Sequence, residues 1–324
     1  LKAQSIVDST PFLVVVRGGP AIFKEGSPVL AVRNERDLLL TSEDFECVRK
    51  LIHARAGISL APHKTEMVYS RLAKRIRVLG HTRFRDYLSM LQADASHVEW
   101  EHFVNALTTN LTSFFREAHH FPLLAAHAKA RSAPLKVWTC AASTGEEPYS
   151  IAITLAEALG ANQRAASILA TDIDTRAIEV AQRGIYSMND VSKMSSERLQ
   201  RFFLKGTGER EGMVRVQPGL SQNITFRVLN LLDSNWNIDG PLDVIFCRNL
   251  MIYFDKPTQA RLLERFAGLL REDWQVRDGH IDLPTTPGLG FEIDEKEAQQ
   301  NCDRYEEELG GEFYYESDGS VADW

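Results

Sequence analysis

The chain has 324 residues, 44% of them apolar, with 37 Lys and Arg against 44 Asp and Glu. That composition excludes a disordered chain, and the length predicts two domains with room for an appendage. No run approaches the ~18 apolar residues of a membrane span, no secretory signal opens the sequence, and Cys47, Cys140, Cys247 and Cys302 show no CxxC pairing, so zinc and disulfides are not expected and a reducing cytoplasm fits.

The net charge of −7 is unevenly spread. Between Arg49 and Arg85 ten Lys or Arg face one acid, Glu66, whereas Glu272 to Trp324 holds sixteen acids and three bases. The basic stretch implies a polyanionic partner (nucleic acid, anionic membrane or acidic protein surface), or else a solvated helix face.

Residues 1–41 are left unassigned. Within them Leu13-Val14-Val15-Val16 reads as a candidate strand, followed by Arg17-Gly18-Gly19-Pro20 as a turn. From Ser42, with Glu43 and Asp44 in a first turn, a helix runs to Gly57, with Phe45, Val48, Leu51 and Ile52 at helical spacing. A second runs from about Lys64 to Leu79. Its Arg71, Lys74 and Arg75 are spaced to share one face. Further helices fit Phe84–Gln92 and Val98–Leu107. The expected domain, residues 42–115, is small, all-helical and basic.

Beyond it strands and helices alternate. Strands are expected at Leu135–Ala141, Ser167–Thr171, Ile224–Leu229 and Asp243–Cys247, and helices at Glu146–Leu159, Thr175–Gln182 and Thr258–Leu270. This predicts an α/β, doubly wound, Rossmann-like domain over residues 116–271, with an insert at about 186–222 that reads as a hairpin or β-subdomain. Ligands on such sheets bind beyond the carboxyl ends of the strands. The first such end, Ala141-Ala142-Ser143-Thr144-Gly145-Glu146-Glu147, is a small-residue turn whose acids would repel a pyrophosphate. The second is Thr171-Asp172-Ile173-Asp174, where Asp172 is placed to accept from two ribose hydroxyls and Asp174 reads as a helix N-cap. The third is Phe246-Cys247-Arg248-Asn249, with Tyr253 after it. A ribose acid, a small turn and no phosphate cradle point to S-adenosylmethionine. His119 and His120 are read as structural, on the argument that neighbouring helical residues point apart, and no metal site is expected.

Leu107-Thr108-Thr109-Asn110-Leu111-Thr112-Ser113-Phe114-Phe115-Arg116-Glu117 resembles a signature of the chemotaxis receptor methyltransferase (CheR) family. So do Ala142 to Ser150, Thr171 to Asp174, and Cys247-Arg248-Asn249 through Ile252-Tyr253-Phe254. The resemblance spans about residues 42–271. It implies methyl transfer from S-adenosylmethionine to glutamate side chains of chemoreceptor cytoplasmic domains, forming methyl esters, in the cytoplasm and by a monomer. Carried over, Asn110, Thr112 and Arg116 line the site from the linker, and Glu147 and Asp172 hold the cofactor's amino and ribose ends. Asn230 and Leu231 lie on the adenine side, and Arg248 and Asn249 close the pocket. Arg116 and Tyr253 lie nearest the reacting methyl. Arg71, Lys74, Arg75 and Arg77 would meet the receptor, and the β-subdomain would take a receptor C-terminal peptide by strand addition.

After Leu270 the resemblance ends. Pro284 to Ile293 is similar to the tail of enolase-superfamily sugar-acid dehydratases, and residues 272–324 form an atypical acidic segment. The last strands of the sheet are therefore expected to be replaced, with Phe313-Tyr314-Tyr315 the one candidate. The alternative function is a catalytically impaired receptor- or cofactor-binding module, a chimera with foreign ends. A nucleic-acid methyltransferase and a sugar-acid dehydratase fit the motifs less well, so no nucleic-acid partner and no membrane insertion are expected.

Overall fold

The protein is seen in a computed structural model, which describes residues 12–16, 38–131, 134–160, 166–270, 276–277 and 280–281. The chain divides into two compact units, Leu1–Gly18 with Gly26–Arg271, and Gly19–Glu25 with Glu272–Trp324.

In the first unit, strand β1 (Phe12–Val16) precedes α1 (Ser42–Ala56). The cap of α1 is Thr41, whose side chain accepts from the Asp44 N–H while Asp44 accepts from the Thr41 N–H, a reciprocal pair that satisfies two orphan donors. Gly57 closes α1 in the left-handed region, φ 73°, as its place in the sequence predicts. Then follow α2 (Thr65–Val78), α3 (Phe84–Ala93) and α4 (Glu99–Leu107). Their apolar stripes meet in one core, in which Val48, Ile52, Leu72, Ile76, Phe84 and Phe103 are fully buried. An ion pair crosses that core's edge. Arg75 donates to Glu99 through Nε at 2.8 Å and Nη2 at 2.6 Å, and the Tyr87 hydroxyl donates to the same carboxylate at 3.1 Å.

A helix that the sequence reading did not assign, α5 (His120–Ala130), opens the second layer. It is followed by β2 (Leu135–Thr139), α6 (Glu146–Leu159), β3 (Ala166–Asp172), α7 (Thr175–Arg183), β4 (Ile185–Ser187), α8 (Ser196–Phe202), β5 (Phe203–Lys205), β6 (Met213–Val216), α9 (Pro218–Ser221), β7 (Ile224–Val228), β8 (Val244–Arg248) and α10 (Lys256–Ala267). The main sheet is wholly parallel, in the order β1-β8-β2-β3-β7. Its strands alternate with period two. Val137, Ile168, Val244 and Phe246 pack on the α5–α6 side, whereas Trp138, Ile245 and Cys247 pack with Phe266 of α10 on the other. The insert is a second sheet, antiparallel, in the order β4-β6-β5, which realises the expected β-subdomain.

The candidate strand at Leu13 to Val16 takes a place that no local pattern predicts. It runs parallel along β8, Phe12 opposite Val244 and Val16 opposite Arg248. The N-terminal segment thus covers the backbone edge that the departing C-terminus was expected to leave bare. Phe313-Tyr314-Tyr315 and the dehydratase-like run Pro284 to Ile293 lie outside the described residues. Of the second unit the structure describes one antiparallel ladder, β9 (Val276–Arg277) with β10 (His280–Ile281).

Candidate active site

The main sheet changes winding direction between β2 and β8, where β2 leads outward through β3 to β7 and β8 lies on the opposite side. Such a switch point opens a crevice at the carboxyl ends of the strands. After β2 the turn of small residues is mostly a packing device. Ala142 is fully buried, and a Cβ on Gly145 (φ 104°) would lie 2.6 Å from the Tyr186 hydroxyl. Glycine is required there by the approach of α7 and β4, whatever ligand binds above.

Ser143 faces the crevice differently. It is held at φ 48°, its N–H donates to Asp172 Oδ2 at 2.8 Å, and its buried hydroxyl has no hydrogen-bond partner among the described residues. Asp172 ends β3, and its other oxygen accepts the Asp174 N–H at 3.0 Å. Burial pushes the Asp172 carboxyl up to about 6, against the pull of those two N–H donors. Asp174 is the N-cap of α7, as read from the sequence, accepting from the Arg176 and Ala177 N–H groups. Its second oxygen also accepts from Thr108 Oγ1 and Asn110 Nδ2, both at 2.7 Å. Asn110 thereby ties the linker to the sheet's second crossover.

Arg248, with its side chain 1% exposed, is the hub of the other half. Its Nη1 donates to Glu147 Oε2 at 3.0 Å, and its Nη2 donates to the Arg116 carbonyl and lies 3.4 Å from Glu117 Oε2. Glu147 also accepts from Thr139 Oγ1 at 2.6 Å. Burial pushes the Glu147 carboxyl up, and Arg248 opposes this. Asn249 (φ 54°) donates to Glu117 Oε1 at 3.1 Å. Arg116 donates through Nη1 to the Leu111 carbonyl at 3.0 Å and approaches Glu117 at 3.9 Å. Glu117, Ser143 and Asn249, around Arg248 and Asp172, are non-glycine residues at positive φ, as is Phe115 just before Arg116. Such strain persists where surrounding contacts over-determine it, as functional sites do. Glu117 was quoted in a motif but given no role by sequence reasoning. Two reversals of the backbone in three residues have no simple sequence signal.

Contrary to the expectation that neighbouring helical residues point apart, the rings of His119, at the N-cap position of α5, and His120, its first residue, do not diverge; their centroids are 3.9 Å apart. Burial, then the Arg248 charge, pulls His120 down to about 4. It is neutral at physiological pH, with Nδ1 on the Glu117 carbonyl at 3.1 Å.

The remaining expected site residues lie where the helical layer meets the sheet. Asn230 donates to the Arg55 carbonyl at 2.7 Å, and the Tyr253 carbonyl accepts the Ser59 N–H at 2.7 Å. Leu231 turns its side chain into the core with Trp236 and Phe254. Thr112 is half-buried in the linker.

The basic face also differs from expectation. Arg71 donates to the Thr108 carbonyl at 2.7 Å and Arg75 is forked onto Glu99, so both serve the fold. Arg49, Arg83 and Arg85 pair with Glu46, Asp86 and Glu43, acids on which the local charge count did not draw. Lys74 and Arg77 remain on the exposed side of α2.

A parallel sheet with an acid ending its second crossover strand and a buried polar hub at the switch point is the framework of a nucleoside-binding methyltransferase. The comparisons agree. Residues 110–282 match the CheR methyltransferase, SAM binding domain, and residues 43–108 match the CheR methyltransferase, all-alpha domain. The chain is 51% identical over 259 residues to the chemotaxis protein methyltransferase of Klebsiella aerogenes, covering 80% of this chain and 89% of that protein. It is also 51% identical over 257 residues to the protein of that name in Salmonella typhimurium, covering 79% and 89%. Over 245 residues it is 51% identical to chemotaxis protein methyltransferase 2 of Pseudomonas aeruginosa, covering 75% and 87%. The chain belongs to the CheR methyltransferase family.

Its cofactor is S-adenosylmethionine, and the crevice fits that group. The Ser143 hydroxyl and Arg248 Nε are buried without hydrogen-bond partners among the described residues. Asp172 is a carboxylate at the carboxyl end of β3, with acceptor capacity beyond its backbone N–H donors. No helix of the described residues is long and apolar enough to cross a membrane.

Proposed function

We propose that the chain transfers a methyl group from S-adenosylmethionine to glutamate carboxylates of chemotaxis receptors, yielding methyl esters. The observation that carries the acceptor class is Arg116, a guanidinium a third exposed at the lip of the crevice, on the linker that also carries Asn110. A guanidinium forks onto a carboxylate with a geometry that Lys lacks. Bound in the crevice, the cofactor supplies an activated methyl on a sulfonium. The protein then has to hold, orient and dehydrate. Asp172 receives the ribose hydroxyls, and Glu147 with Arg248 holds the amino-acid end. Asn230, Leu231, Thr112 and Asn249 complete the walls, and Arg116 and Tyr253 align the acceptor. A glutamate is already ionised at neutral pH, so no general base is needed, which agrees with His120 being neutral and turned to a carbonyl.

The same reading divides the chain into a helical receptor-recognition domain (42–115), a catalytic domain (116–271) with its β-subdomain, and flanking segments 1–41 and 272–324. Lys74 and Arg77, with Arg71 and Arg75 bracing the helix behind them, meet the acidic receptor surface, and an edge of the β4-β6-β5 sheet takes a receptor peptide. The enzyme acts as a monomer on the cytoplasmic portion of its receptors.

The test is calorimetric titration with S-adenosylhomocysteine followed by a receptor methylation assay. One-to-one binding and base-labile methyl incorporation are expected. Arg116→Lys should retain product affinity and lose most turnover, by about a hundredfold for a misplaced acceptor. Binding without ester formation would select the impaired-module reading, and full activity of Arg116→Lys would remove Arg116 from the mechanism.

A further inference from the structure

The linker reverses at Phe115 (φ 54°) and again at Glu117 (φ 51°), conformations that residues with a Cβ rarely adopt. The result is a carboxylate delivered to the end of β8. Glu117 Oε1 accepts from Asn249 Nδ2 at 3.1 Å, and Oε2 stands 3.4 Å from Arg248 Nη2. Glu147 already lies 3.0 Å from the other end of Arg248, so one guanidinium bridges two carboxylates. The remaining cation beside Glu117 is Arg116, its Nε 3.9 Å from Oε1. Arg116 is held from its far side by the Leu111 carbonyl on Nη1 at 3.0 Å. The guanidinium is thus hydrogen-bonded through Nη1 and faces Glu117 with Nε at ion-pair distance, and Nη2 has no hydrogen-bond partner among the described residues.

We propose that Glu117 is a positioning residue for the methyl transfer: held by the Asn249 hydrogen bond and the Arg248 ion pair, it sets the rotation of the Arg116 guanidinium so that the unpartnered Nη2 meets the acceptor carboxylate. This rests on the reaction proposed above. In this role Glu117 makes no contact with cofactor or acceptor, although its buried Oε2 has no hydrogen-bond partner among the described residues. It acts through Arg116, and the two backbone reversals exist to bring it there. A guanidinium released from this clamp rotates about its last side-chain bonds and spends less time aligned with the acceptor, while the cofactor half of the crevice is left in place.

The test is a double-mutant cycle with Glu117→Gln, Arg116→Lys and the double variant, reading kcat at saturating receptor and cofactor. Melting temperature and S-adenosylhomocysteine affinity are measured on the same proteins. Glu117→Gln is expected to lower kcat about tenfold, with product affinity within about twofold of wild type and the melting temperature unchanged. In the Arg116→Lys background it should cost nothing further. Glu117→Asp keeps the charge but shortens the reach; it should give a smaller loss with the same coupling, and it replaces Glu117→Gln if that variant melts early. Wild-type kcat in Glu117→Gln, full additivity of the two losses, or an equal fall in product affinity and kcat would each overturn the proposal. A wild type that binds product but forms no ester overturns the reaction itself, whereas an active wild type with additive losses overturns the role of Glu117 alone.

Discussion

Asp172 is the residue whose chemistry is most sensitive to its surroundings. Backbone N–H groups of Asp174, Ser143 and Ile173 favour its ionised form, but burial outweighs them and raises the carboxyl to about 6. For the free protein this means that the group favours folding at low pH. Its contribution is complete below the ordinary carboxylate range and is lost as pH rises through about 6. For the ligand the sign is opposite, because ribose hydroxyls donate to a carboxylate and the neutral acid accepts less. Product affinity should therefore be flat above pH 6 and weaken by up to about tenfold per unit below it, measured calorimetrically between pH 5 and 7.5. A flat profile across that range would show that Asp172 is not the ribose acceptor. The position of Asp172 was legible in the sequence because an acid ending a second strand is a local signal, and its ribose role is the one proposed above. That of Glu117 was not, since two backbone reversals bring this linker residue against Arg248.

At the scale of elements, α1 and α2 show how a helix face is divided between fold and function. Spacing placed Arg71, Lys74 and Arg75 together, but Arg75 is bound to a Glu99 side chain that is 1% exposed. Arg75→Glu should leave Glu99 buried beside a like charge and destabilise the protein by about 3–5 kcal/mol in urea unfolding. Lys74→Glu should leave stability within about 0.5 kcal/mol and weaken receptor methylation, more so at low salt. Equal stability losses would contradict the assignment of Arg75 to the fold. The end of α1 meets the loop that carries Tyr253. A Cβ on Gly57 would lie 2.9 Å from the Phe254 ring, at a φ of 73° that Ala adopts poorly. Gly57→Ala is expected to cost about 1–3 kcal/mol by the same unfolding measurement. The ends of α1 and α6 were predicted to within a residue because caps and Gly57 are local signals. Helix α5 was missed, since His120 to Ala130 lacks both a capping side chain and a strong apolar stripe.

Across the whole molecule, the parallel sheet joins the helical layer's neighbours to one line of strand ends, and its far edge is completed by β1. Deleting residues 1–18 would expose the backbone of β8, which carries Arg248 at its end. The expected outcome is a lower urea midpoint, by about 1 kcal/mol per ladder hydrogen bond lost, with concentration-dependent association in light scattering. An unchanged midpoint would show that the sheet does not need β1. The order of the motifs, the alternation of strand and helix, and the acid after the second strand were determined by sequence alone. They are local patterns, set by periodicity and by turn chemistry within a few residues. What only the tertiary structure decided is which charges are spent. Arg75 is consumed by Glu99, 24 residues away, and Arg248 and Glu147 by each other across 101 residues, and β1 finds β8 across most of the chain. Burial and pairing depend on neighbours in space, and no spacing rule along the chain encodes them.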